Sequence, residues 1–188
     1  MKLQAKRLPG LVLWMILATP VMLFNPHGAN AHPGEGVPGT VALDFLTGGG
    51  FIIRDSGAKG NFGIQGGVKN GDWWGGVNYI DHGTGLHVQG RDVTAYLFID
   101  ERTRDVCGRG TSNLFGDIAW HVRATDNGEP GRDDIFIIRV GKAGVIVYTT
   151  ENDRNHTLGA DGPGGGNIQL HKGNNSNTAP EEFAVCEI

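Results

Sequence analysis

Cysteine, helical periodicity and long apolar runs are the scarce features of this sequence. Two Cys in 188 residues are too few for a structural zinc site without His partners. Apolar residues nowhere keep a spacing of three and four for three turns, which excludes helical repeats and nucleotide-binding α/β folds. The longest apolar stretch, 11–24, is interrupted by Thr19 and Pro20 and is shorter than the roughly 20 residues of a membrane span. There is no Gly-x-Ser-x-Gly elbow, no His-Glu-x-x-His helix and no Cys-His nucleophile pairing, so the familiar hydrolase signatures are absent. Gly164-Gly165-Gly166 lacks the Lys and the Ser or Thr of a phosphate loop. Glycine, by contrast, is abundant at 32 residues, more than twice its usual share. It follows no Gly-X-Y period, and Val, Ile, Leu and Phe stay frequent, so neither a collagen-like rod nor a disordered chain fits.

The start reads as an export signal. Lys2, Lys6 and Arg7 precede the apolar stretch, and Ala29-Asn30-Ala31 supplies a small-x-small cleavage site. The expected organisation is a signal peptide over 1–31, a flexible leader rich in Pro and Gly over 32–40, and a single β domain over 41–188. No Cys lies near the cleavage point, which argues against a lipid anchor. Cleavage removes three cations and no acid. This leaves 16 − 3 = 13 Lys plus Arg against 20 Asp plus Glu, a net charge of −7 with no footprint for nucleic acid. Met1, Met15 and Met22 all fall in the signal. The expected product is secreted, periplasmic or held at the cell surface, with no stable membrane span once the signal is gone. In such a place Cys107 and Cys186 are expected to form a disulfide tying the C-terminus to the middle of the domain, with two buried thiols as the alternative.

From Val41 onward short apolar runs alternate with clusters of Gly, Asn and Asp, which indicates strands. They are expected near 42–46, 50–54, 62–68, 74–81, 86–89, 92–99, 117–124, 134–140, 144–149, 167–171 and 183–186. Ile118, Trp120, Val122 and Ala124 alternate with Ala119, His121 and Arg123, giving one buried and one wet face. The unbroken Ile135-Phe136-Ile137-Ile138 predicts a central strand covered on both sides. Asp126-Asn127-Gly128-Glu129-Pro130-Gly131 predicts a hairpin tip, because Asn-Gly accepts positive φ and Pro stops a regular ladder. Thr149 to Gly166 is a long connection of the kind that is functional or mobile. The expected class is all-β, an antiparallel β-sandwich or compact barrel of about ten short strands.

Three groups of residues carry potential chemistry. Asp81, His82 and His87, with His171 on a strand that could pair nearby, offer a carboxylate and imidazoles for acid-base work or a divalent metal. Equally, Asp81-His82-Gly83-Thr84-Gly85 reads as a turn whose Asp caps backbone amides. Asp126, Asn127, Glu129, Asp133 and Asp134 gather hard oxygen ligands on one loop, which suits calcium or simply a solvated acidic turn. The stretch from Ala124 to Pro130 is similar to a hairpin of cadherin-like surface repeats, although the Asp-x-Asn-Asp-Asn linker of a cadherin site does not occur. Trp73 and Trp74 are adjacent, so on a strand only one reaches the core and the other becomes a candidate platform for sugar rings.

Several segments occur in order: Thr47-Gly48-Gly49-Gly50-Phe51-Ile52, Phe62-Gly63-Ile64, Val77-Asn78-Tyr79-Ile80-Asp81-His82, Val122 to Gly131, Asp134-Ile135-Phe136 and Gly165-Gly166-Asn167-Ile168-Gln169-Leu170-His171. Together they resemble the post-choice-of-anchor-protein domain, a module of exported bacterial proteins of unknown function, over Thr47 to about Lys172. The resemblance implies an extracytoplasmic β domain and brings no reaction and no catalytic residue. Cys107 and Cys186 lie outside the shared motifs, and the chain reads as a stand-alone domain.

The expected function is that of an exported, non-enzymatic β domain that meets a glycan or protein at the cell surface or in the extracellular matrix. One alternative is a small metal-assisted hydrolase using Asp81, His82, His87 and His171. Another is a subunit of a surface assembly joined through an exposed sheet edge.

Overall fold

A computed structural model describes residues 38–160 and 162–188, which belong to the unit Ala31–Ile188. The expected signal and most of the leader lie outside the described residues. Alternating sequence becomes nine antiparallel strands: β1 Phe45–Ile53, β2 Lys59–Lys69, β3 Asp72–Asp81, β4 His87–Phe98, β5 Thr103–Ser112, β6 Gly116–Thr125, β7 Ile135–Lys142, β8 Val145–Thr149 and β9 Gly165–His171. They form one sheet in the order β8-β7-β6-β5-β4-β3-β2-β1-β9. The first eight strands are a meander, and β9 returns to pair with the free side of β1. Among the described residues no helix is long and apolar enough to cross a membrane.

The sheet curls into a half-barrel, and its inner face is the core. Val106, Val122 and Ile138 are register partners across β5, β6 and β7, and all three are buried. Phe62 of β2 stacks on Phe136 of β7 with ring centroids 3.9 Å apart, although four strands separate them in the sheet. Trp120 is fully buried and donates its indole N–H to the Arg109 carbonyl at 3.0 Å.

Some expected elements differ. Segments 42–46 and 50–54 are largely one strand, β1, and segments 86–89 and 92–99 join as β4, which bends at two register shifts between Gly90 and Ala95. Strand β5 has no counterpart among the expected segments, and 183–186 is not a strand. On β7 Phe136, Ile138 and Val140 are the buried large side chains, while Ile135 and Ile137 point outward and are half-covered, so the strand is not enclosed on both sides. The end of the leader is engaged by β4: Gly39 donates to the Phe98 carbonyl at 2.7 Å and Phe98 donates to the Thr40 carbonyl at 2.8 Å.

Where the curled sheet does not close through a ladder, side chains close it. Asp134 and Asp126, flanking the β6–β7 loop, accept the outer-edge amides of Ile168 and Leu170 on β9 at 2.7 and 2.8 Å. Residues 156–160 run beside the start of β7, with Phe136 donating to the His156 carbonyl and Leu158 to the Asp134 carbonyl. Strand β8 remains an edge, with Val145 63% and Ile146 51% exposed.

Candidate functional site

The proposed catalytic quartet is not gathered. Asp81 ends β3 pointing inward and is buried. One oxygen accepts the Gly83 amide at 2.7 Å, so it caps the turn. The other accepts from Arg54 at 2.9 Å and from the Tyr148 hydroxyl at 2.8 Å, and Tyr148 lies 2.7 Å from the Tyr79 hydroxyl. Arg54 also reaches Asp153 and the Thr149 carbonyl. Burial alone would raise the Asp81 carboxyl, but these donors and the Arg54 charge hold it below its ordinary value. The group knits β1, β3 and β8 together with every polar atom engaged. His82 follows Asp81 and therefore faces the other side of the sheet.

That outer side, over β9, β1, β2, β3 and the start of β4, is where the three histidines lie. His82 Nε2 is 2.9 Å from Asn61 Oδ1, His87 Nε2 is 2.8 Å from Asn78 Oδ1, and His171 Nε2 is 2.8 Å from Thr47 Oγ1. Each imidazole thus fixes a polar side chain of the same face. With the imidazole N–H donating to Oδ1, the NH₂ groups of Asn61 and Asn78 are left turned to solvent.

Register defines the surface row by row. At one end His171, Phe45, Gly67 and Trp74 are successive partners. The Phe45 and His171 rings stack at 4.5 Å, and Trp74 sits on the other side of Phe45 at 5.9 Å. Gly67 is forced here, because a Cβ would come within 2.6 Å of the Phe45 Cβ. The next row is Gln169, Thr47, Gln65 and Gly76; then come Asn167, Gly49, Gly63 and Asn78, and finally Gly165, Phe51, Asn61 and Ile80. None of these sixteen positions carries a formal charge. The depression over Gly63, Gly76 and Asn78 has a volume of about 530 Å³.

Gly63 has no packing reason to be glycine: a Cβ there would meet nothing within 4 Å, and its φ is not positive. Its partner Gly49 would make only one ordinary contact, 3.5 Å from the Phe62 carbonyl oxygen. Glycine in a strand interior costs roughly 0.5–1 kcal/mol relative to alanine. The floor is therefore bare at the expense of stability. Trp73 packs on the core and Trp74 faces outward, as their adjacency requires. The amides and bare glycines escaped the sequence reading because only the strand register places them beside the histidines.

The loop expected to hold calcium serves the sheet edge. Asp126 accepts from Gly128 and Leu170, Asp134 accepts from Asn127 and Ile168, and Glu129 accepts from the Asn167 and Gln169 amides. Asn127 donates to the Asp133 carbonyl. Burial raises the Asp134 carboxyl above its ordinary value, and the charges of Asp126 and Glu129 add to this against the two backbone donors.

A disulfide joins Cys107 to Cys186. Beside it, on the outer face of β5–β7, Asp105 binds Arg123 through both oxygens at 2.8 Å and lies 3.2 Å from His121 Nε2. Arg139 donates to His121 Nδ1 at 2.9 Å and pairs with Glu151. Among the described residues, Cys107, Cys186 and His121 are the set whose ligand atoms come within 4.8 Å of one another, and the two sulfurs are already bonded. A cavity of 810 Å³ on this side is walled by the C-terminal Glu187 and Ile188 themselves.

Asp105 gives a pH prediction. Burial would raise its carboxyl, and the bonds from Arg123 and His121 outweigh that and bring it down to about 2. A carboxyl lowered on folding stabilises above its unfolded value, about 3.8, and that contribution fades as pH falls through about 2. The expected contribution at neutral pH is about 2 kcal/mol. Urea midpoints measured from pH 7 to pH 2 should fall less steeply in Asp105→Asn than in the wild type; parallel curves would contradict this.

Compared with models of known families, with curated proteins and with solved structures, the chain finds no match.

Proposed function

We propose that the chain is an exported, non-enzymatic β domain that recognises a cell-surface or extracellular ligand, glycan or protein, on the outer face of β9, β1, β2 and β3. The observation that carries this reading is the uncharged face itself, whose amides are held by His82, His87 and Glu129 and whose centre is two glycines that packing does not require. The disulfide is compatible with an extracellular setting. The resemblance of 47–172 to an exported module of unknown function supports the same setting. Against turnover stands the arrangement of the candidate acid and base: Asp81 is turned into the core with Arg54, and each histidine has a separate partner.

The test is a titration of fluorescently labelled protein onto cell-envelope and extracellular-matrix fractions, beside a broad hydrolase screen. Saturable binding, competed by unlabelled protein and weakened about tenfold in Trp74→Ala, is the expected result, since an aromatic platform contributes on the order of 1–2 kcal/mol. Reproducible turnover abolished by His82→Ala would overturn the reading.

A further inference from the structure

Resting on that reading, we infer that the ligand is an uncharged polysaccharide, seated over Gly63, Gly76 and Asn78 with a sugar ring against Trp74. Four features of the face select this chemistry. Its polar groups are amides and a hydroxyl that both donate and accept, which matches the hydroxyls of a sugar and not a phosphate or carboxylate. Its aromatic surface stands at the two ends, Phe45 and Trp74 at one, where a ring can stack, and Phe51 under Lys59 at the other, instead of forming the broad apolar centre of a protein interface. The space above Gly63 and Gly49 is open down to backbone, and a flat pyranose face fits such a floor where bulkier side chains would lift it away. Trp74 and Asn78 are four residues apart on β3, roughly 13 Å, so a ligand touching both must be an oligomer and not a single sugar.

Charge argues in the same direction. The mature chain carries 13 Lys plus Arg against 20 Asp plus Glu, and none of the sixteen positions of the face is a Lys or Arg, so the overall charge disfavours an anionic polymer. Two cations do reach it: Arg91 lines the depression and donates to Gln89 at 3.2 Å, and Lys59 lies over the Phe51 ring at 4.3 Å, which is why an anionic control is part of the test.

Gly63→Val is the discriminating variant. It fills the floor while placing a β-branched residue in a strand with room for it, so folding should be kept. Affinity electrophoresis of the mature protein through gels containing starch, mannan, xyloglucan or mixed-linkage β-glucan, with alginate as the anionic control, reads binding directly. Retardation by at least one neutral polysaccharide and not by alginate is expected. Gly63→Val should weaken it at least tenfold with Tm unchanged or raised, and Trp74→Ala should weaken it as well. Retardation by alginate alone, or retardation by a neutral polymer that Gly63→Val leaves intact, overturns the inference. If no polysaccharide retards the protein while a protease-sensitive envelope component still binds it, the glycan assignment fails and the recognition reading stands. Absence of binding in both assays overturns both.

Discussion

Asp134→Ala is expected to destabilise the domain by about 4 kcal/mol. The carboxylate is fully buried and stands in for a missing strand partner, accepting Asn127 N–H at 2.8 Å and Ile168 N–H at 2.7 Å. Truncation leaves the buried Ile168 amide and the partly buried Asn127 amide without acceptors, at roughly 1–3 kcal/mol each. It also loosens the free edge of β9, which Asp126 at Leu170 and the amide contacts to Glu129 help to hold. Asp134→Asn keeps one acceptor and removes the repulsion from Asp126 and Glu129 that raises this carboxyl, so it should lose about half as much. Urea denaturation of the two variants, with hydrogen exchange at Ile168 and Leu170, measures this. A loss under 1 kcal/mol, or an Ile168 amide still protected in the alanine variant, would show that the sheet closes by other means.

The same residue illustrates what the sequence could and could not reveal. A loop of Asp126, Asn127, Glu129, Asp133 and Asp134 is recognisable as a hairpin tip from Asn-Gly and Pro, and Gly128 does take a φ of +98°. Its use of acid groups to cap β9 is invisible, because β9 begins more than thirty residues later and only the curl of the sheet brings it near. The glycines misled in the opposite way. Thr47, Gly48 and Gly49 read as a break between 42–46 and 50–54, yet β1 runs through them because β9 presses against its backbone: a Cβ on Gly48 would lie 3.0 Å from the Asn167 carbonyl oxygen. Strand β5 was hidden for a related reason. Gly108 makes room for the Trp120 ring, 2.6 Å from where a Cβ would sit, so the strand lost its apolar pattern to a neighbour's bulk. What stayed legible was local, such as the β6 alternation and the opposed Trp pair, while the amide face needed the register of four strands.

Reduction of the disulfide is expected to cost a similar amount, about 4 kcal/mol, because it frees a chain segment spanning 79 residues in the unfolded state. The native contacts it secures are few. Val185 donates to the Thr94 carbonyl at 3.0 Å and accepts from the Thr94 hydroxyl at 2.6 Å, Glu187 lies 3.7 Å from Arg109, and Ile188 covers Gly141. Most of the effect should therefore come from chain entropy and be reproduced by Cys186→Ser, with removal of residues 185–188 from that variant adding little. A second consequence separates this cause from a general weakening. Cys186 brings its sulfur within 4.8 Å of a His121 ring nitrogen, so the tethered C-terminus lies against the imidazole that faces Asp105. When the tether is cut, water that reaches the pair relieves the burial that raises the Asp105 carboxyl and screens the Arg123 and His121 attractions that lower it, so a shift away from about 2 in either direction marks a local opening. Carboxyl NMR titration of oxidised and reduced protein reads that shift, while urea midpoints read the stability. Unchanged midpoints in dithiothreitol, with free thiols confirmed by alkylation, would show that the bridge does not stabilise the fold.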